Sequence, residues 1–340
     1  MKVCKFGGSS LGDYKQIKKV KDIILSDDER RYVVVSAPGK CDGCKEKITD
    51  LLIRYSEGDD TADTIKSRFM SIADSLELKI NLAAEFYKIF NFPHERDYIV
   101  SRGEYLCAVI LAEYIGYDFV DAKDIIMFSS GQIDEAETAL RVTDMMSKHK
   151  KAVIGGFYGS ENGKIRVFDR GGSDITGAIV AQKTACDVYE NWTDVDGVMS
   201  ASPRIIKNPH VIEIITYREL RELCCMGATV LHEDALIPVK RAKIPVNIRN
   251  TNNPSFKGTL IVNSRKKPSG YGIVGISGSK SGEICIVSES ISAVLQKILD
   301  VLQGDFISLE KPDSDTVLYV KVDSDRVNDV ICSLYSVFFR

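Results

Sequence analysis

The sequence predicts an α/β fold built on a mainly parallel sheet, on three observations. Short apolar runs alternate with amphipathic stretches over most of the 340 residues, the pattern of strands joined by crossover helices. Several runs end in polar or glycine-rich turns, the positions where open α/β sheets place ligands. Hydrophobic content of 44%, charged content of 27% and 9 prolines fit an ordinary folded chain rather than a disordered or collagen-like one.

In order, VCKF at 3–6 reads as a first strand, and Ile17, Val20, Ile23 and Ile24 follow at helical spacing. YVVVSA at 32–37 reads as a second strand. Ile65, Phe69, Ile72 and Leu76 mark a long helical region expected to continue towards Phe90. GEYLCAVILAEYIG from Gly103 is too apolar for a surface helix, so Ser101-Arg102-Gly103-Glu104 is expected to open a buried one. YDFVDA, AVIGGF and VYENWT read as later strands, and IPVNIRN and GTLIV as two more. The polar segment Asn263–Gly270, punctuated by proline and glycine, reads as a linker. Beyond it, EICIV, a helix through Ile291, Val294, Leu295, Ile298 and Leu302, the strands DFISLE and TVLYVKV, and a helix from about Arg326 make a β-α-β-β-α module.

With 45 basic and 48 acidic side chains the net charge is −3, and no basic stripe with interleaved aromatics appears, so nucleic-acid binding is not expected. No secretory signal and no run of about 18 apolar residues is visible, so a cytoplasmic protein that does not cross a membrane is expected. Nine cysteines, an odd number, argue for reduced thiols. Cys41 and Cys44 have metal-ligand spacing but lack a second pair or a nearby histidine, and no metal site is expected there.

Candidate chemistry sits in the turns. Lys5-Phe6-Gly7-Gly8-Ser9-Ser10 lies between a strand and a helix, where two glycines let backbone N–H groups approach an anion beside a mobile cation. A tight turn with a surface lysine fits the same string. Neither a P-loop nor a dinucleotide fingerprint is present. Arg170-Gly171-Gly172-Ser173-Asp174 repeats the glycine pair before a helix, with an arginine suited to bidentate carboxylate or phosphate binding. An N-cap with a salt-bridged arginine is the alternative. Asp174 could position a lysine or a magnesium ion. Thr193-Asp194-Val195-Asp196-Gly197, followed by Pro203-Arg204, could bind a nucleotide but is weak by itself. Glu104 is either a first-turn carboxylate that complements a helix dipole or an acceptor for an amine ligand.

Together these strings resemble the aspartate kinases of the amino acid kinase family, over essentially residues 1–262. The resemblance rests on KFGGSS, SRGEYL, the GGFYGS turn, DRGGSDITGAIVA, TDVDGV, Ile-Thr-Tyr-Arg-Glu-Leu, Met-Gly-Ala-Thr-Val-Leu-His and IPVNIRNTNNPSFKGTLI, in that order. It implies a helix-sandwiched, mainly parallel sheet in a catalytic domain over 1–264. It also implies a single, incomplete ferredoxin-like ACT regulatory module over 265–340. The implied reaction is transfer of the γ-phosphoryl group of ATP to the side-chain carboxylate of L-aspartate, with Mg2+.

By motif match, Lys5 would bridge the transferring phosphoryl oxygens and Asp174 would orient it. Phe6, Gly7, Gly8 and Ser9 would lie on the ATP phosphates, and Thr193, Asp194, Met199, Arg204, Thr229 and Val230 on the nucleotide. Arg170, Gly171, Gly172, Ser173, Glu104 and Thr49 would hold aspartate, Arg170 its carboxylate and Glu104 its ammonium. The chain departs from the family pattern at Asp169, Met199, Ser202 and Thr229, for which altered ATP affinity is expected. The turn Ser288-Glu289-Ser290 is shorter than the usual effector loop, so weak or absent lysine and threonine inhibition is expected. An unpaired sheet edge in the module implies a homo-oligomer. The rival readings are a relative acting on another carboxylate or on carbamate, and a non-catalytic ligand sensor.

Overall fold

The computed structural model describes residues 1–225, 233–265 and 272–339. The chain divides into a larger unit, Met1–Val195 with Leu231–Ser255, and a smaller one, Asp196–Val230 with Phe256–Arg340. This division runs differently from a cut between 264 and 265, because 196–230 and 256–264 group with the C-terminal residues.

The larger unit begins β1 (Lys2–Phe6), α1 (Tyr14–Leu25), β2 (Arg30–Val35), α2 (Ile48–Ser56), α3 (Ala62–Ser75), α4 (Leu82–Phe90) and α5 (Arg96–Ile115). It continues through β3 (Asp118–Val120), β4 (Phe128–Ser129), β5 (Gln132–Ile133), α6 (Glu135–Lys148), β6 (Ala152–Gly155), β7 (Tyr158–Glu161) and β8 (Lys164–Val167). Then come α7 (Gly172–Lys183) and β9 (Val188–Thr193), and after an excursion into the smaller unit, α9 (Glu233–Arg241) and β11 (Val246–Asn250). The excursion holds β10 (Ile214–Thr216) and α8 (Tyr217–Cys225).

Six strands of this unit run parallel in the order β11-β9-β1-β2-β6-β3, so the α/β class expected from the sequence is present. Alternation sorts the side chains of the central strands. Cys4 and Phe6 on β1 and Val33 and Val35 on β2 join the core that contains Ile17, Val20 and Ile24 of α1 and Leu106, Ile110 and Leu111 of α5. Lys5, between Cys4 and Phe6, therefore points to the opposite face, where α7 packs on β1, β2 and β9.

Three sequence expectations are corrected. The helical region from Ile65 does not run unbroken to Phe90. α3 ends at Ser75 with Leu76 as its cap, Glu77 takes a φ of 56°, and α4 restarts under an Asn81 cap that accepts from the Ala84 N–H at 3.3 Å. The apolar spacing continues across the break, which hid it. Likewise α5 starts at Arg96, five residues before Ser101, so Glu104 lies mid-helix and has no first-turn dipole to complement. GGFYGS, read as a turn, supplies β7, which pairs antiparallel with β8.

On the α1/α5 side the sheet buries a charged group. Glu190 on β9 is 1% exposed and accepts from Arg30 Nε at 2.8 Å and Trp192 Nε1 at 2.9 Å, with Lys2 Nζ at 3.5 Å and Arg249 Nη1 at 3.8 Å. Burial alone would push its carboxyl up, but the Arg30 hydrogen bonds and charge, with Trp192 and Lys2, hold it below its usual value. Glu190→Gln leaves buried guanidinium groups uncompensated, a loss of about 3–5 kcal/mol. Thermal denaturation should show a Tm lower by several degrees.

In the smaller unit, β12 (Thr259–Val262) pairs parallel with β10. The C-terminal module comprises β13 (Ile273–Gly278), β14 (Glu283–Ser288), α10 (Ile291–Leu302), β15 (Ser308–Glu310), β16 (Val317–Lys321) and α11 (Val327–Phe338). Its antiparallel sheet has the order β13-β14-β16-β15. β13 extends the expected β-α-β-β-α pattern, so β14 is interior rather than an edge. The glycine-bearing IVGISG gave little sign of a strand. Ile276, Ile286, Ile298, Leu318, Ile331 and Leu334 form the module's core. Of the expected linker, 266–270 lie outside the described residues.

Candidate active site

Strand order locates the site before any side chain does. From β1 the chain moves to β2 on one side, while β9 and β11 lie on the other. The crevice at the carboxyl ends of β1 and β9 is thus a topological switch point, where open α/β sheets bind ligands. Parallel register pairs Lys5 with Asn191 and Phe6 with Trp192. Lys5 and Asn191 consequently share the α7 face, and Phe6 and Trp192 the other, their rings stacked with centroids 5.8 Å apart.

Asp174 stands in the first turn of α7 and meets both. Lys5 Nζ lies 2.6 Å from Asp174 Oδ1, and Asn191 Nδ2 donates to the same oxygen at 2.7 Å. Lys5 is only 7% exposed, so a strand, a neighbouring strand and a helix N-terminus fix the position of one ammonium group. Asn191 was not among the sequence candidates. The i-to-i period-2 pairing across β1 and β9 is the signal that could have found it.

After β1 the backbone turns into a short 3-10 helix, Gly8–Leu11. The Gly7 N–H is taken by the Trp192 carbonyl at 3.0 Å, which leaves the N–H groups of Gly8 and Ser9 at the open helix end. Ser10 Oγ bonds Thr251 Oγ1 at 2.7 Å, and Thr251 N–H reaches the Thr193 carbonyl at 2.9 Å. Thr193 is thereby tied to the first loop, and its hydroxyl donates to Asp194 at 3.1 Å.

A chain of close approaches runs from this loop to the other candidates. Gly39 N–H donates to Gly8 O at 2.8 Å, and a Cβ on Gly39 would sit 2.6 Å from Gly8 C and 2.9 Å from Ser9 N. Gly39→Ala must therefore push the first loop outward. Since a misplacement of about 1 Å can cost roughly 10²-fold, a reaction at this loop should slow by about that factor, which steady-state kinetics would measure. Ala37, two residues earlier, packs on Gly103 beside Glu104, where a Cβ on the glycine would lie 2.7 Å from Ala37 Cβ. The Glu104 carbonyl lies against Gly155 at the end of β6, and Gly156 packs directly on Ser173. Phe157 N–H donates to Thr176 Oγ1 at 3.1 Å, pinning the start of α7 to the same turn. First loop, Ala37, Glu104, Gly155-Gly156, Ser173, Asp174 and Lys5 thus close a ring around one crevice.

Glu104 is 4% exposed and its Oε2 has no hydrogen-bond partner among the described residues. Burial pushes its carboxyl up to about 8, against smaller opposing effects of the Ala37 and Glu104 N–H groups and Arg102. A buried carboxyl with a bare oxygen can receive a cation. Thr49 is the second residue of α2, whose first residue, Ile48, lies against Gly103. Arg170 is exposed, and Gly171 caps α7 with a φ of 59°. Gly172 packs so closely on Phe157 that a Cβ there would come within 2.6 Å of its ring.

Phe6 has its side chain fully buried in the opposite core. Met199 and Arg204 belong to the smaller unit, half-buried and exposed respectively. Thr229 and Val230 lie outside the described residues, as does His232.

The model of the amino acid kinase family matches residues 1–250. The chain belongs to that family. Among its relatives within this kinase family, Aspartokinase 3 of Bacillus subtilis is 38% identical over 303 residues, 82% of this chain and 66% of that protein. The aspartokinase of Chlamydia trachomatis is 31% identical over 281 residues, 76% of this chain and 64% of that protein. The chain spans about two thirds of the length of these curated relatives. The crystal structure of Clostridium acetobutylicum aspartate kinase matches with a TM-score of 0.93 at 34% identity, covering 99% of this chain and 100% of that one. No helix among the described residues is long and apolar enough to cross a membrane.

Proposed function

We propose that this amino acid kinase is an aspartate kinase, converting L-aspartate and ATP to 4-phospho-L-aspartate and ADP. The observation that carries the reading is the fixed Lys5 ammonium, held by Asp174 and Asn191 in the same ring of contacts as the bare Glu104 carboxyl. One group suits a transferring phosphoryl, the other an amino acid's ammonium. The relatives named aspartokinase support the choice of acceptor.

Phosphoryl transfer passes through a loose transition state, so alignment and charge neutralisation carry the catalysis. Lys5 would lie across the phosphoryl oxygens, and the Gly8 and Ser9 N–H groups would receive phosphate at the open helix end. Glu104 would bind the substrate's ammonium, Arg170 and Ser173 its α-carboxylate, with Thr49 adding a hydrogen bond. The side-chain carboxylate attacks without a general base, because a free carboxyl with pKa of about 4 is already ionised at neutral pH. Thr193 and Asp194, with Met199, Arg204, Thr229 and Val230, would contact the nucleotide.

Magnesium would offset the charge of the triphosphate. No group of three or more His, Cys, Asp or Glu side chains able to hold a metal occurs among the described residues. Such an ion would be held mostly by phosphate oxygens and water, as Mg2+ usually is. A cytoplasmic homodimer with weak lysine and threonine feedback, with 1–264 catalytic and 265–340 regulatory, completes the reading.

A hydroxamate assay tests it, since hydroxylamine traps an acyl phosphate. Aspartate with ATP should give a strong signal, and glutamate, N-acetylglutamate and carbamate little ADP release. Equal turnover of any of these acids, or none with aspartate, sinks the assignment.

A further inference from the structure

The loop between β2 and α2 carries chemistry that phosphoryl transfer does not use. Cys41 and Cys44 face each other across a two-residue Asp42-Gly43 turn, with Gly43 at a φ of 83°. They exchange both backbone hydrogen bonds, Cys41 N–H to Cys44 O at 3.1 Å and Cys44 N–H to Cys41 O at 3.0 Å. Residues paired this way have Cα atoms about 5.5 Å apart, within the roughly 4.4–6.8 Å that a disulfide spans. Of the nine cysteines, Cys4, Cys107, Cys186 and Cys285 are buried, whereas Cys41 and Cys44 are half-exposed.

Both line a surface cleft of about 760 Å³, together with Asp13, Lys15, Lys45 and Arg68. That space admits a small charged reagent. Arg68 is 8% exposed, its Nη2 lies 3.8 Å from Cys41 Sγ, and its Nε has no hydrogen-bond partner among the described residues. Its guanidinium also grips both neighbouring loops, donating to Glu46 O at 2.7 Å, to Gly12 O at 3.1 Å and to Gly39 O. Burial pushes the Cys41 thiol up and the Cys44 contact adds to this, while Arg68 pulls it down. Exchange is accordingly faster in alkali than at neutral pH.

We propose that Cys41 and Cys44 are a redox-modification site: a low-molecular-weight disulfide oxidises them to an intramolecular disulfide, which reversibly slows phosphoryl transfer through the first loop. One cysteine thiolate attacks a sulfur of the reagent R–S–S–R, the reagent's S–S bond breaks, and RS⁻ leaves and takes a proton. The second thiolate attacks the mixed disulfide and releases the other RSH. The two cysteines lose two electrons and two protons, and the reagent gains them as two RSH. Closing the bond draws the sulfurs to about 2.05 Å and takes Cys41 Sγ away from Arg68. The shift is felt in the first loop because a Cβ on Gly12 would lie 3.3 Å from Cys41 Cβ and 2.8 Å from Lys40 O, so no slack separates the two segments.

The effect on rate rests on the kinase reading; the dithiol chemistry does not. The full chain is treated with oxidised glutathione at pH 8.5, alkylated and digested with trypsin. Lys40 and Lys45 place both cysteines on one peptide. That peptide should be two hydrogens lighter and resist alkylation, and dithiothreitol should restore it. Phosphoryl transfer should fall at least threefold and recover on reduction, while Cys41→Ser and Cys44→Ser keep their rates under oxidant. Full alkylation of both cysteines after treatment, with glutathione only on Cys225 and Cys332, overturns the proposal, as does a linked peptide with unchanged rate. A reduced protein without kinase activity instead refutes the functional reading, and the peptide mass still decides the dithiol.

Discussion

Lys5→Ala lowers kcat by about 10²–10³-fold, the range for loss of one preorganised charge-stabilising donor. The loss falls on kcat more than on KM, because the ammonium acts most strongly where negative charge is transferred. Lys5 is 2.6 Å from Asp174, which shares its Oδ1 with Asn191. Asp174→Asn keeps the shape and removes the charge that orients the ammonium, so its effect should be smaller, and the double variant should lose less than the sum of the two. Asn191→Ala provides a milder perturbation of the same unit. Steady-state kinetics on the four variants measure this, and a Lys5→Ala enzyme with unaltered kcat would refute the placement of the phosphoryl group.

Glu104→Gln abolishes aspartate recognition and stabilises the fold. The carboxyl is buried and its pKa is raised from 4.5 to about 8, so the neutral form predominates at pH 7, whereas an ammonium ligand requires the charged form. The apparent affinity for aspartate should therefore improve about tenfold per pH unit up to about 8 and then level off. Stability runs the other way. Between the unfolded value near 4.5 and the folded value of about 8, the folded protein holds a proton that the unfolded chain has lost. Unfolding becomes easier by roughly 1.4 kcal/mol per pH unit in that window. The glutamine variant lacks this slope, so its Tm should match wild type near pH 4.5 and exceed it at pH 8. KM for aspartate measured against pH, with denaturation at the same pH values, separates the two effects.

Features written in local sequence were legible. The strand, glycine pair and helix around Lys5 and around Gly171–Asp174 announced two strand-to-helix turns, and Ile17, Val20, Ile23 and Ile24 marked the buried face of α1. Features that depend on distant partners were not. Nothing near Glu190 shows that Arg30, 160 residues away, will meet it, and Asn191 becomes a candidate only once register sets it beside Lys5. Glu104 was placed at a helix start because the apolar run begins at Gly103, although the helix begins at Arg96 with polar residues that carry no such signal. Short-range periodicity reports which face is buried. It does not report where a helix starts or which strand lies alongside.

The insertion of β9 next to β1 has a consequence for biogenesis. β1 is a central strand bonded on both sides, yet its second partner emerges from the ribosome some 180 residues later. Until then the nascent chain exposes the free hydrogen-bonding rim of an apolar segment, Val3 to Phe6, the kind of edge that invites intermolecular pairing. Lys5, midway along that rim, gives the growing chain a gatekeeping charge there long before Asp174 arrives to pair with it.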